Sequence, residues 1–435
     1  MRPTRRRTVL PAARPDGSGA LLTVEDLRTH FLTDRGRVRA VDGVTLTLDR
    51  GRTLGVVGES GSGKTVLSRS IMGLLPSRGV ERTGRIVFDG EDITHFTGPQ
   101  MRRIWGTEMA MVFQDPMTSL NPVMKVGRQI TESLRYHLDM ARDEARETAV
   151  ALLRSVGIPS PEQRLSEYPH QLSGGMRQRV TIAIALACGP KLLFADEPTT
   201  ALDVTVQAQI LDLLQHQQRE RHMAMVLVTH DLGVVAGRAD DIAVMYAGQV
   251  VELAPARTLF AEMRMPYTEA LVRSIPRLED PSHTRLEAIG GRPPDLVSPP
   301  VGCRFSPRCP YAQDRCTAEL PPLVEAETPG HYYRCWFPVG TELGTKALAV
   351  NVDRARHGDG PLAVRAALDA LPAEEVAPDR VAAAPAVAET VPADGLPSGR
   401  LPAGDAAGPG ERPLPGALRT DPTPAAGDGP GEARP

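Results

Sequence analysis

The feature that most constrains this chain is the stretch GESGSGKT at residues 58–65. It fits the pattern G-x-x-x-x-G-K-[ST], follows the apolar run TLGVV and precedes the helical pattern LSRSIMGLL. In such a loop, backbone N–H groups and the helix N-terminus attract phosphate oxygens, Lys64 reaches the terminal phosphates, and the Thr65 hydroxyl can ligate Mg²⁺. A Gly/Ser-rich turn before a helix is the alternative, and the preceding strand argues against it. We therefore predict a nucleotide site formed by Gly58, Glu59, Ser60, Gly61, Ser62, Gly63, Lys64 and Thr65.

A second apolar run, KLLFADEP, ends in two carboxylates, Asp196 and Glu197. A carboxylate at the C-terminal end of a strand beside a phosphate loop can hold the Mg²⁺ shell, and its neighbour can polarise water for in-line attack. The alternative is an acidic strand end that caps the next helix. Beside a phosphate loop, the pair favours hydrolysis of the bound nucleotide.

The fold class follows from the order of the patterns. Between about residues 21 and 253, strand-like runs rich in Val, Ile and Leu alternate with helical stretches such as MRQRVTIAIALA. This alternation indicates an α/β fold with a parallel sheet. From about 98 to 170, strand-like runs are few and helical runs such as RDEARETAVALLRSVG are several, which predicts a mainly helical subdomain.

Composition excludes some classes of protein. A net charge of -3 provides no global field toward nucleic acid or acidic lipid, so we expect no nucleic-acid partner. The Arg-rich N-terminal stretch lacks the apolar run of a signal peptide, and no apolar stretch reaches the roughly 18 residues of a membrane span. We therefore expect a cytosolic protein without a membrane span of its own.

Four more motifs accompany the phosphate loop and the acidic strand end: VFQDP, LSGGMRQRV at residues 172–180, ALD and VTHD. A Ser-Gly-Gly turn alone is usually only a helix N-cap, and a lone His is more often structural. In this order, however, the whole set resembles the ATP-binding cassette (ABC) ATPases over about residues 21–253. The fold expected from the resemblance is an ABC-type P-loop ATPase with a parallel-sheet core, a helical signature subdomain and a small Cys-rich C-terminal domain.

The resemblance implies roles in hydrolysis for residues near the phosphates. Glu197 would be the general base, His230 would contact the γ-phosphate and orient that base, and Gln114 would sense Mg²⁺ and the attacking water. Thr65, Gln114 and Asp196 would hold the Mg²⁺. ATP and Mg²⁺ are therefore the expected cofactors.

Other matching residues are implied to act on a second cassette. Ser173, Gly174 and Gly175 would open a helix whose N-terminus contacts the γ-phosphate of ATP held by the other cassette, and Asp203 would bridge the dimer interface. A lone cassette should be a poor ATPase, because part of each site's positive potential comes from the other subunit's helix. We therefore expect ATP to drive dimerisation.

The chain is expected to divide into four parts. Residues 1–20 are expected to form a disordered extension and residues 21–260 the ABC ATPase domain. Residues 261–340 would form a C-terminal region with a four-Cys metal site. Residues 341–435, rich in Ala, Pro and Gly, cannot bury enough apolar surface to offset their ordering entropy and are expected to be disordered.

Two stretches, QDPMTSLNPVMKVG and MPYTEALVRSIPRLED, resemble the oligopeptide/dipeptide importer ATPases. The resemblance implies a peripheral subunit at the cytoplasmic face of the membrane. Its partners would be two integral-membrane permease subunits, a second and different ABC ATPase, and an extracytoplasmic substrate-binding protein. Hydrolysis would power peptide entry as the permeases alternate between outward and inward states.

Other functions remain open from the sequence. The same group includes relatives that serve nickel and glutathione uptake. A soluble, non-transport ABC ATPase is a rival, but translation-type members usually carry two cassettes and repair-type members split theirs with long coiled coils, neither of which is seen. An exporter subunit is disfavoured because no membrane segment is fused to the cassette.

Four of the five cysteines lie in one region with the spacing C-x5-C-x6-C-x18-C: Cys303, Cys309, Cys316 and Cys335. In a reduced compartment such a cluster favours metal binding over disulfides. No pair has the C-x2-C spacing of typical zinc sites, whereas a [4Fe-4S] cluster takes four cysteines at varied spacings. Zinc and free thiols remain the alternatives.

This segment also resembles the Cys-bearing C-terminal region of the oligopeptide/dipeptide ATPases, some of which hold a [4Fe-4S] cluster. We expect the metal to fold a small domain that would otherwise lack a core. His331 is a possible substitute ligand, for which we expect a solvated side chain. Cys188 stands apart and is expected to be a small buried hydrophobe.

Overall fold

The computed structural model describes residues 19–200, 202–275 and 289–357. Within these ranges the strands form two sheets. The strands are β1 (Ala20–Thr33), β2 (Gly36–Asp49), β3 (Thr53–Val57), β4 (Val80–Phe88), β5 (Glu91–Asp92), β6 (Met109–Val112), β7 (Leu192–Asp196), β8 (Ala224–Thr229), β9 (Asp241–Tyr246), β10 (Gln249–Pro255), β11 (Val324–Glu325) and β12 (Tyr332–Tyr333).

The helices account for most of the remaining regular structure, together with short 3-10 turns at Pro169–Gln171 and Ser306–Arg308. They are α1 (Lys64–Ile71), α2 (Gly98–Ile104), α3 (Pro116–Ser119), α4 (Val126–His137), α5 (Arg142–Ser155), α6 (Pro161–Arg164), α7 (Gly174–Leu186), α8 (Val204–Arg221), α9 (Leu232–Ala236), α10 (Ala256–Ala261), α11 (Pro266–Arg273), α12 (Asp314–Ala318) and α13 (Glu342–Arg356).

The larger sheet has the strand order β11-β12-β10-β9-β3-β8-β7-β6. The neighbours from β9 to β6 pair in parallel, while β10, β11 and β12 add antiparallel pairs at one edge. Every residue of β3, β7 and β8 is buried, as expected for parallel strands covered on both faces. The α/β prediction is therefore confirmed for these strands, although the sheet as a whole is mixed.

The smaller sheet was not predicted from the sequence. It is antiparallel, in the order β2-β1-β4-β5. Its inward side chains share a core with α1 and with one face of the larger sheet, including Leu22, Val44, Ile86, Leu67 and Phe194. Because long antiparallel strands also read as apolar runs between turns, the sequence pattern alone did not separate this sheet from the parallel one.

The predicted helical region is helical only in part. Strand β6 lies within the predicted range of about 98–170 and joins the larger sheet beside β7. Beyond β6, α4 and α5 bury a stripe of residues at helical spacing, among them Ile130 and Leu134 of α4 and Ala149 and Leu153 of α5. Apart from β6, the regular structure of the range is helical from α2 (Gly98–Ile104) onward, and a buried four-residue strand is too short to show a clear period in the sequence.

The C-terminal region is not a separate small domain in this structure. Strand β12 pairs with β10 of the larger sheet. Phe305, Cys309 and Tyr311 belong to the same hydrophobic core as Tyr246 and Tyr267. We expected a small domain that would lack a core without bound metal. The structure instead shows that this region shares the hydrophobic core of the main sheet.

A helix also occupies part of the predicted disordered tail. Helix α13 begins after Thr341, whose hydroxyl accepts a hydrogen bond from the Gly344 N–H at 3.1 Å. The buried Asn351 amide donates to the carbonyls of Pro310 and Ala312, at 2.8 Å each. The disorder prediction is thus wrong for this helix, which buries Ala347 and Val352 and is joined to the Cys-containing segment by these hydrogen bonds. The predictions for residues 1–18 and beyond residue 357 lie outside the described residues.

No helix in the described part of the chain is long and apolar enough to cross a membrane.

Asn351→Ala tests whether α13 is braced in this way. It removes two hydrogen bonds to the partly buried carbonyls of Pro310 and Ala312 and should lower the free energy of unfolding by about 1–3 kcal/mol, measured by urea denaturation. The control is Val350→Ala, at a neighbouring α13 position that is 45% exposed, where we expect a change within about 0.5 kcal/mol. Equal stability of the two variants would contradict the bracing role of Asn351.

Candidate functional site

The predicted phosphate loop connects β3 to α1, as its spacing required. Strand β3 ends at Val57, which pairs with Thr229 of β8. At Gly63 the backbone has a φ of 102°, and a Cβ there would lie 2.1 Å from the carbonyl oxygen of Ala40. Only glycine fits this close approach, so the loop can turn directly into the first residue of α1, Lys64.

The side chain of Lys64 lies against its own loop. Its ammonium donates to the carbonyl oxygens of Gly58 at 2.7 Å and Glu59 at 3.1 Å. Burial lowers the pKa of Lys64, while the nearby carboxylates of Glu197, Asp196 and Glu59 oppose that shift. The residue is therefore held in the loop as a buried cation surrounded by acidic groups.

Asp196 and Thr65, two of the three residues predicted to hold Mg²⁺, lie in direct contact. The Thr65 hydroxyl donates to Oδ1 of Asp196 at 3.0 Å. Asp196 is fully buried, its Oδ2 has no hydrogen-bond partner, and burial raises the pKa of its carboxyl. A buried carboxylate oxygen without a partner is costly unless a cation or water satisfies it. The pair therefore fits a divalent cation with oxygen ligands.

Glu197 is the centre of a second cluster. Its Oε2 accepts hydrogen bonds from Gln114 Nε2 and from the Thr200 hydroxyl, each at 3.0 Å. His230 Nδ1 lies 3.5 Å from the same oxygen. The structure thus brings together three residues that were predicted from separate motifs. Thr200 was not predicted, although its position three residues after Glu197 in the turn before α8 places it within reach.

The backbone at Glu197 explains how its side chain is directed. It has a φ of 46°, in the left-handed region that non-glycine residues rarely adopt. Its N–H donates to the carbonyl oxygen of Val228 in β8 at 2.9 Å. The strained turn is held by the sheet, which is common where a side chain must be presented at a functional site.

Ser173 and Asp203 begin two neighbouring helices. The Ser173 side chain caps α7 by accepting from the Met176 N–H at 3.3 Å, and Asp203 caps α8 by accepting from the Val206 N–H at 2.9 Å. A Cβ at Gly175 would lie 2.9 Å from Val206 Cγ1, so the two helix starts pack closely. Within the described residues, no hydrogen bond joins either side chain to the phosphate loop. Ser173 and Gly174 are exposed.

The C-terminal region contacts the phosphate loop directly, which the sequence did not predict. Arg308 forms an ion pair with Glu59, and the Tyr267 hydroxyl accepts a hydrogen bond from the Glu59 N–H at 2.9 Å. The sequence feature that could have indicated these contacts is the position of two arginines directly beside cysteines in CRFSPRC. Arg304, next to Cys303, likewise pairs with the buried Asp42.

The four clustered cysteines line one small apolar cavity, together with residues that include Met265, Tyr311, Trp336 and Phe337. The Cys303 N–H donates to the carbonyl oxygen of Cys316 at 2.7 Å. No three His, Cys, Asp or Glu side chains in the described ranges are grouped so that they could hold a metal ion. The cysteines predicted to act together therefore face a common space but are not gathered around one point.

Burial disfavours the thiolate form of each of these cysteines. It raises the pKa of Cys303 to about 11 and raises the pKa of Cys309, Cys316 and Cys335 as well. Neutral thiols are thus the preferred state in this apolar cavity, and a bound cation would reverse that preference.

Two expectations for other residues are corrected. His331 is fully buried rather than solvated, and its Nε2 lies 2.8 Å from Oε1 of the equally buried Glu252. Cys188 is half-buried, with its thiol 3.7 Å from the carbonyl oxygen of Ser133, and burial raises its pKa.

Comparison with known proteins identifies the family. The ABC transporter family profile matches residues 41–200, and the profile of the oligopeptide/dipeptide transporter C-terminal region matches residues 251–316. The oligopeptide transport ATP-binding protein OppD of Bacillus subtilis is 50% identical over 317 residues, which cover 73% of this chain and 88% of that protein. The chain belongs to the oligopeptide/dipeptide ABC transporter ATP-binding proteins.

Other relatives of this ABC ATPase are similar over the same length. The oligopeptide transport ATP-binding protein AppD of Bacillus subtilis is 51% identical, with 73% of this chain and 96% of that protein covered. The dipeptide transport ATP-binding protein DppD of Escherichia coli is 49% identical, with 74% and 97% covered. The dimeric ATP-binding cassette MJ0796 bound to ADP and phosphate is 26% identical with a TM-score of 0.49, covering 54% of this chain and 99% of that one. As a member of this family, the chain is an ATPase.

Proposed function

We propose that this ABC ATPase energises an importer for oligopeptides or dipeptides. The observation that carries the proposal is that relatives about 50% identical over most of their length are oligopeptide and dipeptide transport ATP-binding proteins. The profile match at residues 251–316 supports the same branch. Uptake of nickel or glutathione is the less supported alternative, because the named relatives are peptide transport proteins.

The proposed hydrolytic mechanism uses the cluster around Glu197. The carboxylate accepts hydrogen bonds from Gln114 and Thr200 at Oε2, which hold it in one orientation, so that it can take a proton from a water molecule. His230, whose side chain is 59% exposed, is free to reach a γ-phosphate and orient the base. Gln114 would detect the nucleotide by exchanging its bond to Glu197 for contacts with water and metal.

Thr65 and Asp196 are proposed to hold Mg²⁺, with Gln114 nearby. The fit rests on the partnerless, buried Oδ2 of Asp196 and on the adjacent Thr65 hydroxyl. Mg²⁺ prefers oxygen ligands and keeps several waters, so two or three protein oxygens are enough. When bound, the ion neutralises charge on the phosphates.

A second cassette is proposed to complete each site. Ser173, Gly174 and Gly175 lie at an exposed helix start, where N–H groups and the helix dipole favour an anion. In a head-to-tail dimer this helix start would contact the γ-phosphate held by the partner, and Asp203, beside it, would lie at the interface. We propose that the second cassette is a different chain, and that ATP drives the association.

The complete transporter is proposed to contain two permease subunits and an extracytoplasmic binding protein. The family supports membrane and substrate-binding partners for this ATPase. This chain would then sit peripherally at the cytoplasmic face, and substrate selectivity would reside in the other subunits.

A [4Fe-4S] cluster is proposed for the cysteine cavity. The fit rests on the donor set, since four thiols line a single apolar cavity. A [4Fe-4S] cluster takes four cysteines at varied spacings, whereas no pair here has the C-x2-C spacing of typical zinc sites. Cys303, Cys309, Cys316 and Cys335 would hold the cluster, whose contribution would be to join segments that lie far apart in the sequence.

The transport proposal is tested by uptake of labelled dipeptides and oligopeptides in cells that lack the gene. Peptide uptake should fall to background and be restored by the intact gene. Nickel and glutathione uptake serve as controls and should not change. Loss of nickel or glutathione uptake with normal peptide uptake would overturn the substrate assignment.

Glu197→Gln tests the general base in the assembled transporter. The amide cannot accept the proton, so the rate of ATP hydrolysis should fall by about 10²–10⁴-fold, while ATP binding is retained. The matched control is Glu220→Gln on the exposed surface of α8, for which we expect a normal rate. Hydrolysis by the Glu197 variant at the normal rate would refute the role.

The metal proposal is tested by measuring iron, acid-labile sulfide and zinc in chain purified without oxygen. About four irons and four sulfides per chain, with visible absorption, are expected, whereas one zinc and no sulfide would overturn the cluster. Cys309→Ser should also lower the thermal stability and protease resistance of residues 290–340. Cys188→Ser is the control outside the cavity and should leave the iron content unchanged.

A further inference from the structure

The phosphate loop contains an acidic residue, Glu59, at its second position. A carboxylate in an anion-binding loop opposes the binding of phosphate, because like charges repel and the loop is partly sheltered from water. Its field acts within the site, since Glu59 is one of the carboxylates that influence the pKa of Lys64. The structure contains a specific counter-charge for this residue.

That counter-charge is Arg308 of the C-terminal region. Its guanidinium donates to both oxygens of Glu59, through Nη1 to Oε2 at 2.7 Å and through Nη2 to Oε1 at 2.8 Å. The remaining donors bind the Tyr246 hydroxyl at 3.1 Å, the Ile289 carbonyl at 3.1 Å and the Gly290 carbonyl at 2.8 Å. All five N–H groups of the guanidinium are therefore used, which only the planar fork of arginine allows.

The ion pair is largely withdrawn from solvent. The Arg308 side chain is 3% exposed and that of Glu59 is 26% exposed. Arg308 also lies 5.7 Å from the centre of the Tyr246 ring and 5.9 Å from that of Phe305. Removing one member of such a pair leaves the other charge unpaired in a poorly solvated site, which is far more costly than losing an exposed ion pair.

The backbone of Glu59 is held from two further sides. Its N–H donates to the hydroxyl of Tyr267 in α11, and its carbonyl oxygen accepts from Lys64. Tyr267 packs against Tyr246 and Phe305, the same rings that flank Arg308. The start of the phosphate loop is thus fixed to a packed unit formed by Tyr267 and Phe305 of the C-terminal region and Tyr246 at the end of β9.

We propose that Arg308 is a positioning residue for ATP binding, which neutralises Glu59 and holds it away from the nucleotide phosphates. Through this contact the cysteine-containing region takes part in setting the affinity of the nucleotide site. Arg308 does not touch the nucleotide and acts only through Glu59.

This inference rests on ATP binding by the chain, which its family membership implies. The test distinguishes a failure of ATP binding itself from a failure of the role proposed for Arg308. The dissociation constant of a nonhydrolysable ATP analogue with Mg²⁺ is measured by calorimetry on the purified full chain. Failure of the unaltered chain to bind the analogue would count against the nucleotide site itself. The comparison among variants then tests Arg308.

Arg308→Met should weaken binding of the analogue by about tenfold or more, because a neighbouring unpaired charge of this kind is worth on the order of a factor of ten in affinity. Adding Glu59→Gln to this variant should restore most of the lost affinity, since the repelling charge is gone. The loss in Arg308→Met should also shrink as ionic strength rises. A role confined to supporting the fold predicts neither the rescue nor the salt dependence.

Two further variants keep the inference open to refutation if Arg308→Met folds poorly. Arg308→Lys retains the positive charge but not the planar fork, so it should lose clearly less affinity for the analogue than Arg308→Met. Arg315→Met is the matched control: Arg315 adjoins Cys316 but stacks on Trp336 at 3.6 Å and pairs with the exposed Glu319. It should leave affinity unchanged. Absence of rescue by Glu59→Gln, or equal losses in the Lys and Met variants, would overturn the proposal.

Discussion

The arrangement of the site depends on the parallel pairing of β7, β8 and β3. In this register Asp196 lies opposite Val228, and Val57 lies opposite Thr229. The residues that follow each strand therefore emerge at the same edge of the sheet, which places the phosphate loop, Glu197 and His230 side by side. Ligands of open α/β sheets bind at this edge because the carboxyl ends of the strands and the helix N-termini meet there.

Burial at the same edge gives the site its electrostatic character. Lys64 is pressed against its own loop, and Asp196 is fully buried with one oxygen lacking a partner. Both charges are costly in this position without their natural counter-ions, so the free chain carries the cost that a nucleotide and a cation would relieve. A bound nucleotide and cation would therefore gain much of their binding free energy from contacts with Lys64 and Asp196.

The C-terminal region is part of the same structure rather than an appendage. Arginines adjacent to the cysteines contact the main sheet and its loops: Arg304 pairs with Asp42, Arg308 pairs with Glu59, and Arg334 donates to the carbonyl oxygen of Val250. Helix α13 in turn holds the segment around Pro310 and Ala312. The segment that contains the cysteines is therefore joined to the phosphate loop by direct contacts.

The sequence by itself determined the chemistry of the site and its local structure. A glycine-rich loop between an apolar strand and a helix, and an acidic pair at the end of another strand, are local patterns with local causes. The strand–loop–helix position of residues 58–65 and the strand-end position of Asp196 and Glu197 could therefore be predicted without any tertiary contact. The central parallel strands were predictable for the same reason, since continuous burial leaves a continuous apolar run.

Only the tertiary structure decided which distant residues support that chemistry. The second, antiparallel sheet, helix α13 and the burial of His331 beside Glu252 all depend on contacts between segments far apart in the chain. Arg308 and Glu59 are 249 positions apart, and neither residue's neighbours reveal the pairing. Propensity and spacing act over a few residues, whereas ion pairs and shared cores are set by the packing of the whole chain, so these features could be found only in the folded molecule.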